Sequence, residues 1–200
     1  MSQFDDLVRT LDDAGLWAGL DPRVTAAALG RIRAGEPARW PGGAACPVDG
    51  EELSDGLVED WLNDLTGSFC ECGVELAVRA LAKPAPGDTG DYAVDINGHA
   101  LTLYATDPSE PGLPLCEDPW MDCTIKPAAV LNHLLSGSGS THRLALFWPG
   151  GNDGFAVLGP EPVLRAAGQS RRNRRNRWGS SSRDHQARRQ GRRHRPLPDS

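Results

Sequence analysis

The stretch DYAVDINGHALTLYA, residues 91–105, decides the fold class of this 200-residue chain. Apolar and polar residues alternate on both sides of Asn97-Gly98, and a period of two is typical of β-strands with one buried face. Asn-Gly is also the strongest short-range signal for a two-residue hairpin turn, because both turn residues must take a positive φ. The stretch therefore predicts two antiparallel strands joined at Asn97-Gly98.

The alternation extends upstream of this hairpin. Residues 74–82, VELAVRALA, alternate in the same way, and a short turn, PGDTG, connects them to the hairpin. We therefore predict a three-stranded antiparallel meander over 74–105. A second hairpin is predicted further along the chain, from strands at 142–148 and 155–159 joined by the Gly-rich turn PGGNDG.

The other regular segments show apolar residues at helical spacing. The predicted helices cover about 3–17, 22–34, 51–69, 127–135 and 161–168. Asp21-Pro22 supplies an N-cap and a proline at the first position of the second helix. Residues 37–50 are dense in Pro and Gly, residues 106–123 are rich in Pro and acids, and we interpret both segments as loops.

These elements together predict the fold class and the domain organisation. Consecutive strands joined by tight turns favour an antiparallel sheet over a doubly wound parallel one. We predict an α+β fold, in which an antiparallel sheet, made of the three-stranded meander plus a C-terminal hairpin, is covered by helices. Residues 1–168 form a single globular domain in this interpretation, and residues 169–200 form a disordered Arg-rich tail.

The charge of the chain is divided between these two regions. Residues 169–200 hold 11 Arg and two acids, a net charge of +9. Residues 1–168 hold ten basic and 25 acidic residues, a net charge of −15. A region this acidic repels nucleic acid and attracts basic partners, so the tail and the domain favour opposite kinds of partner.

The tail has three interpretations that its residues leave open. It could be a nucleic-acid-binding arm, in which arginines neutralise phosphates and Trp178 stacks on a base. The arginines concerned are Arg171, Arg172, Arg174, Arg175 and Arg177. It could instead be a solvated tail with no specific partner, or out-of-frame sequence from a GC-rich gene. All three interpretations predict disorder.

The acidic loop supplies a candidate protein-binding site. Glu117, Asp118 and Asp122 surround Trp120 in the sequence. An aromatic anchor among acids suits an interface for a basic protein. The alternative is a solvated loop that buries its tryptophan in the core.

The cysteines, the histidines and the Gly-rich turn do not form a recognisable cofactor or catalytic motif. Cys70 and Cys72 are closer together than zinc-ligand pairs usually are, and six residues separate Cys116 from Cys123. A pair of Cys123 with His133 is the one nucleophile–base combination worth considering. The turn PGGNDG lacks the Gly-Lys-Ser/Thr of a phosphate-binding loop. We therefore assign no catalytic or metal-ligating residue and predict no cofactor.

These observations lead to three functional hypotheses. The N-terminus lacks the features of a signal peptide, and no stretch approaches the roughly 18 apolar residues of a membrane span, so we predict a cytoplasmic protein without a membrane partner. Our first hypothesis is a non-enzymatic protein-binding module whose acidic surface binds a basic protein, of the inhibitor or immunity type. The alternatives are nucleic-acid binding through the tail and a small enzyme that uses Cys and His.

Overall fold

A computed structural model describes residues 4–83, 90–106, 118–148 and 153–169 of the chain. These residues form helices and antiparallel strands, so the predicted α+β class is confirmed. The strands form two sheets, one of four strands and one of three, so the prediction that the meander and the C-terminal hairpin share one sheet was wrong, because the hairpin pairs with residues 44–49 instead.

The three-stranded sheet, sheet B, is the predicted meander. Its strands are β3 (Val78–Ala82), β4 (Tyr92–Ile96) and β5 (His99–Tyr104), paired antiparallel in the order β3-β4-β5. Asn97 and Gly98 take φ values of 52° and 84°, as the predicted hairpin turn requires. Alternate residues of β4 are buried, which confirms that the period of two reports a single buried face.

The start of β3 differs from the prediction because a side chain takes the place of part of the strand ladder. The Asn97 amide oxygen accepts a hydrogen bond from the Ala77 N–H, and its nitrogen donates to the Glu75 carbonyl, both at 2.7 Å. Before Val78, the Val74 N–H donates to the Phe69 carbonyl of the preceding helix at 3.0 Å, and the only backbone bond to the hairpin runs from the Asn97 N–H to the Ala77 carbonyl at 2.9 Å among the described residues. The strand therefore begins at residue 78 instead of 74.

The four-stranded sheet, sheet A, combines distant parts of the chain. Its strands are β1 (Ala38–Trp40), β2 (Gly43–Asp49), β6 (His142–Phe147) and β7 (Asp153–Pro160), in the order β1-β2-β7-β6. The β6–β7 hairpin is confirmed, whereas the interpretation of 37–50 as a loop was wrong. Gly43 is needed in β2 because a Cβ there would lie 2.7 Å from the Leu158 carbonyl oxygen and still closer to the Trp40 ring.

The helices surround these sheets. They are α1 (Asp5–Asp13), α2 (Pro22–Arg33), α3 (Gly50–Glu52), α4 (Val58–Glu71), α5 (Pro119–Gly137) and a last helical segment, 161–169. The predicted N-cap of α2 is confirmed, since the Asp21 carboxylate accepts from the Arg23 N–H at 2.7 Å. In the described residues, no helix has both the length and the apolar character needed to cross a bilayer.

The helix α5 begins earlier than predicted. Pro119 occupies its first turn, and the Asp118 carboxylate accepts a hydrogen bond from the Met121 N–H at 3.0 Å. Pro127, the predicted start of the helix, lies inside it. The interpretation of all of 106–123 as a loop was therefore wrong from residue 119 onward, because a capping Asp followed by a proline is a helix start.

Sheet A has a hydrophobic cluster on each face. One cluster contains Phe155 and Val157 together with residues of α1, α2 and the 161–169 helix. The other contains Ala156 and Leu158 together with residues of α4, α5 and sheet B. Neighbouring residues of β7 therefore enter opposite cores, and six consecutive residues of the strand are buried.

The helix α5 also connects the two sheets. It packs against β5 of sheet B and β6 of sheet A. The Lys126 ammonium donates to the carbonyls of Thr102 and Leu103, at 3.4 and 2.7 Å. The Asn132 side chain both donates to and accepts from the backbone of Leu144, at 2.9 and 2.8 Å. Each sheet thus has one outer strand bonded to this helix.

Candidate functional site

The segment between β2 and the middle of α4 has an unusual concentration of carboxylates. Residues 49–64 contain seven acids and no basic residue. We call this set the acidic strip: Asp49, Glu51, Glu52, Asp55, Glu59, Asp60 and Asp64. No member of the strip forms an ion pair with a basic side chain among the described residues, whereas acids elsewhere do, such as Asp5 with Arg33. The strip therefore keeps its negative potential.

Two basic side chains lie beside the strip, one at its end and one near its middle. Arg39 donates a hydrogen bond to the backbone carbonyl of Asp64 rather than to its carboxylate. Lys83 lies along the strip at Gly56, where its Cε is 2.9 Å from the position that a Cβ would take. These two cations offset only part of the charge of seven carboxylates.

The helix carrying the strip is broken over Leu53–Leu57. Residues there follow a π-helical pattern, and Gly56 has a φ of 107°, a conformation that favours glycine. The break leaves Leu57 39% exposed, although its neighbour Val58 is completely buried. The distorted turn thus presents an apolar side chain in the middle of the acidic strip.

Two buried tyrosines of sheet B satisfy the backbone groups that the break leaves without helical partners. The Tyr104 hydroxyl donates to the Ser54 carbonyl at 2.8 Å, and the Tyr92 hydroxyl accepts from the Val58 N–H at 2.9 Å. Their rings meet edge to face, with centroids 5.7 Å apart. Burial raises the pKa of Tyr92, so this hydroxyl stays protonated. The tyrosines therefore stabilise the exposed turn from inside.

A cavity of about 210 Å³, the acidic cleft, lies beside the strip. Its lining residues are Pro37, Cys46, Pro47, Asp49, Glu52, Leu53, Leu57, Asp60, Trp61 and Asp64. The cleft opens along β2, because β1 pairs only with residues 43–45 and the described part of the chain places no strand beside 46–49 on that side. Asp60 and Asp64, four residues apart, project from the same face of α4.

Cys46 and Trp61 line the cleft, one with a thiol and the other with an indole N–H donor. Burial, with a smaller contribution from the Asp64 carboxylate, raises the pKa of the Cys46 thiol to about 12, and Arg39 partly opposes this rise. Cys46 is thus a poor nucleophile. Trp61 is only 5% exposed, and its indole N–H has no hydrogen-bond acceptor among the described residues. An unsatisfied buried donor costs about 1–3 kcal/mol.

The structure brings the predicted site around Trp120 next to the acidic strip. A Cβ on Gly50 would lie 3.0 Å from the Trp120 Cβ, and α5 packs against α3 and the distorted turn. Trp120 is 44% exposed, so the alternative of a tryptophan buried in the core was wrong. With Met121 and Ile125, which are 43% and 48% exposed, it forms what we call the apolar face.

The acids predicted around Trp120 are less available than most of the strip. The Asp118 carboxylate caps α5, as the Asp49 carboxylate of the strip caps α3, and Asp122 forms an ion pair with Lys126 at 3.0 Å. Glu117 lies outside the described residues. The predicted aromatic anchor is therefore positioned on the surface, whereas the unpaired acids beside it come from the strip.

The predicted tail residues also lie outside the described part of the chain. They are Arg171, Arg172, Arg174, Arg175, Arg177 and Trp178. Their binding to nucleic acid stays a prediction. The described chain ends at residue 169, in the helix that packs on sheet A.

The considered Cys123–His133 pair is not formed. Both residues lie on α5, ten positions apart, which corresponds to about 15 Å along a helix. Cys123 is completely buried, whereas His133 is exposed and its ring contacts that of His99. Within the described ranges, no group of three or more His, Cys, Asp or Glu side chains could hold a metal ion.

No protein-family model matches the chain, and comparison with curated proteins and with solved structures finds no significant similarity. The chemistry of the site therefore rests on its own residues. The acidic strip was not identified from the sequence, where residues 51–69 were predicted only as a helix and residues 37–50 as a loop. The available signal was the density of its acids, since an ordinary solvated helix face mixes charges of both signs.

Proposed function

We propose that this chain is a non-enzymatic cytoplasmic module that binds a basic protein, of the inhibitor or immunity type. The observation that carries the proposal is the acidic strip, whose seven carboxylates form no described ion pair and lie beside the apolar face.

The two parts of this surface supply different components of binding. Unpaired carboxylates attract a basic partner over a distance of about 8 Å at physiological ionic strength and mainly increase the association rate. Exposed Trp120, together with Met121 and Ile125, supplies apolar area that a partner can desolvate. An aromatic anchor bordered by polar and charged residues is the usual arrangement for a specific protein interface.

The two alternatives have less support. The enzyme hypothesis depended on Cys and His, and its one considered pair lies apart on the same helix. The nucleic-acid hypothesis depends on residues outside the described ranges, and the −15 charge of residues 1–168 opposes it.

Affinity capture with the full chain tests the proposal. The strip variant carries Glu51→Gln, Asp55→Asn and Glu59→Gln, which remove charge while keeping side-chain size. The matched control carries Asp12→Asn, Glu36→Gln and Glu75→Gln, the same charge change on other elements. We expect captured lysate proteins to be enriched in high isoelectric points, and we expect the strip variant to recover at least tenfold less of them than the control.

A second variant separates the electrostatic attraction of the strip from the apolar contact made by Trp120. Trp120→Ala removes the aromatic anchor, and we expect it to weaken binding of a purified captured partner by about 2 kcal/mol or more, mainly through faster dissociation. The strip variant should mainly slow association and reduce its salt dependence. Partners without a basic bias, or equal recovery by the strip variant and its control, would contradict the proposal.

A further inference from the structure

The acidic cleft offers a positively charged group two walls of carboxylate. Asp60 and Asp64 come from α4, while Asp49 and Glu52 come from the end of β2 and the turn after it. A volume of about 210 Å³ is that of roughly seven water molecules, which is room for one long side chain rather than for a helix or strand. The carboxylates suit the planar, five-donor guanidinium of arginine.

Trp61 supplies an independent indication that the cleft receives a ligand. It lines the cleft, it is about nineteen-twentieths buried, and its indole N–H has no acceptor among the described residues. An arginine side chain carries no acceptor, but the peptide carbonyl beside it does, and it reaches the covered indole nitrogen when the side chains around Trp61 shift. The chemistry of the cleft therefore matches an arginine within a peptide segment, with the side chain among the carboxylates and a carbonyl at the indole.

We propose that the occupant is the chain's own C-terminal segment, residues 170–200, which docks an arginine into the acidic cleft. The segment begins directly after the helix that ends the described chain, and five of its arginines fall within 171–177. Its net charge of +9 complements the −15 of residues 1–168. This docking does not depend on the existence of a basic partner protein.

The length of the segment is sufficient for this contact. Thirty-one residues reach about 100 Å when fully extended, and even the average span of a random coil of that length is about 30 Å. A compact body of 168 residues has a radius of gyration of about 15 Å. Covalent attachment over such a span keeps the effective concentration of the segment near the millimolar range, so even a weak arginine contact is populated. A basic partner that uses the same cleft must displace the segment first.

Zero-length cross-linking of the full chain tests this docking. The probe protein carries Arg171→Lys, Arg174→Lys and Arg177→Lys, which keep the charge and supply amines for a carbodiimide reagent. We expect amide cross-links from 171–177 to Asp49, Glu52, Asp60 or Asp64 at least tenfold more often than to Asp12 or Glu75. Raising the salt to 0.5 M should abolish them, because exposed charge pairs are then screened.

Two controls separate specific docking from general attraction. Asp60→Asn with Asp64→Asn in the probe protein should reduce the cross-links to Asp49 and Glu52 at least fivefold. Asp12→Asn with Glu75→Gln should leave them unchanged, and circular dichroism checks that each variant is folded. Equal parts of isotopically light and heavy protein distinguish contacts within one chain from contacts between two.

The outcomes that overturn the proposal are specific. They are the absence of cross-links, their even distribution over the acids of the domain, and their restriction to light–heavy pairs, which would indicate a second copy as the occupant. These results leave the proposed function untouched, because its strip variant changes none of the four cleft carboxylates. Conversely, a failed capture of basic proteins leaves the cross-linking result unchanged.

Discussion

The two sheets of this molecule follow opposite rules of construction. Sheet B joins three consecutive strands within residues 78–104 and buries one face. Sheet A pairs β2 with β7, more than 100 residues apart, and has a hydrophobic cluster on each face. Alternation of apolar and polar residues is therefore visible in β4, whereas β7 is a continuous apolar run. The comparison teaches that a period of two marks strands with one wet face and is lost in a sheet buried between two layers.

Substitutions on both faces of β7 test this comparison most severely. Phe155 and Leu158 are completely buried and belong to different clusters. We expect Phe155→Ala to cost about 3–5 kcal/mol of unfolding free energy and Leu158→Ala about 2–5 kcal/mol, because each leaves a cavity. Urea unfolding followed by circular dichroism measures both losses.

The corresponding pair in β5 of sheet B should behave differently. Leu103 is completely buried, whereas Thr102 is exposed on the other face. Leu103→Ala should cost about 2–5 kcal/mol, and Thr102→Val should stay within about 0.5 kcal/mol of the wild type. A neutral result for either β7 variant would break the comparison, since it would leave sheet A with only one energetically important face.

A glycine pair gives a smaller effect and tests the turn that sheet B supports. Gly56→Ala forces a Cβ onto a φ of 107° and within 2.9 Å of the Lys83 Cε. We expect a loss of about 1–3 kcal/mol in thermal or urea unfolding. Gly30→Ala is the matched control, because Gly30 lies in the regular helix α2 with open space around it. The control should gain up to about 1 kcal/mol. A harmless Gly56→Ala would show that the tyrosines do not hold the break in this conformation.

The smallest expected effect concerns how the Cys46 thiol of sheet A changes the unfolding free energy with pH. The pKa of Cys46 is raised from 9.0 to about 12 in the folded protein, mainly by burial. Its thiolate therefore forms first in the unfolded chain, so the contribution to stability is complete below pH 9 and is lost as the pH rises from 9 towards 12. Between pH 8 and pH 10.5, the wild type should lose more unfolding free energy than Cys46→Ala. Parallel pH curves for the two proteins would contradict this assignment.

The sequence predicted features that depend on neighbouring residues and missed features that depend on distant ones. The turn at Asn97-Gly98 and the cap at Asp21 depend on neighbouring residues, and both were predicted correctly. The strand β2 was missed because its partner lies on β7 and because Ala44 and Ala45 face different clusters, so neither alternation nor a local turn marks it.

The candidate site was predicted only in part, because some of its contacts join distant segments of the chain. Trp120 was identified from its acidic neighbours, and it is exposed. Its closeness to the acidic strip depends on the contact between α5 and α3, which joins segments about 70 residues apart. The break at Gly56 could not be predicted from the sequence either, because the hydroxyls that support it come from Tyr92 and Tyr104 of sheet B.

The position of α5 has a consequence for how the protein behaves in concentrated solution. An unprotected outer strand is a template on which further chains add, the first step of fibrillar aggregation. Lys126 and Asn132 bind the backbone of β5 and β6, so one helix closes an edge of each sheet to such growth. Of the remaining outer strands, β1 is only three residues long and β3 carries the exposed charge of Arg79. Lys126 is one of only two lysines in the chain. Reagents that acylate amines would therefore remove its hydrogen bonds to β5 while modifying few other side chains.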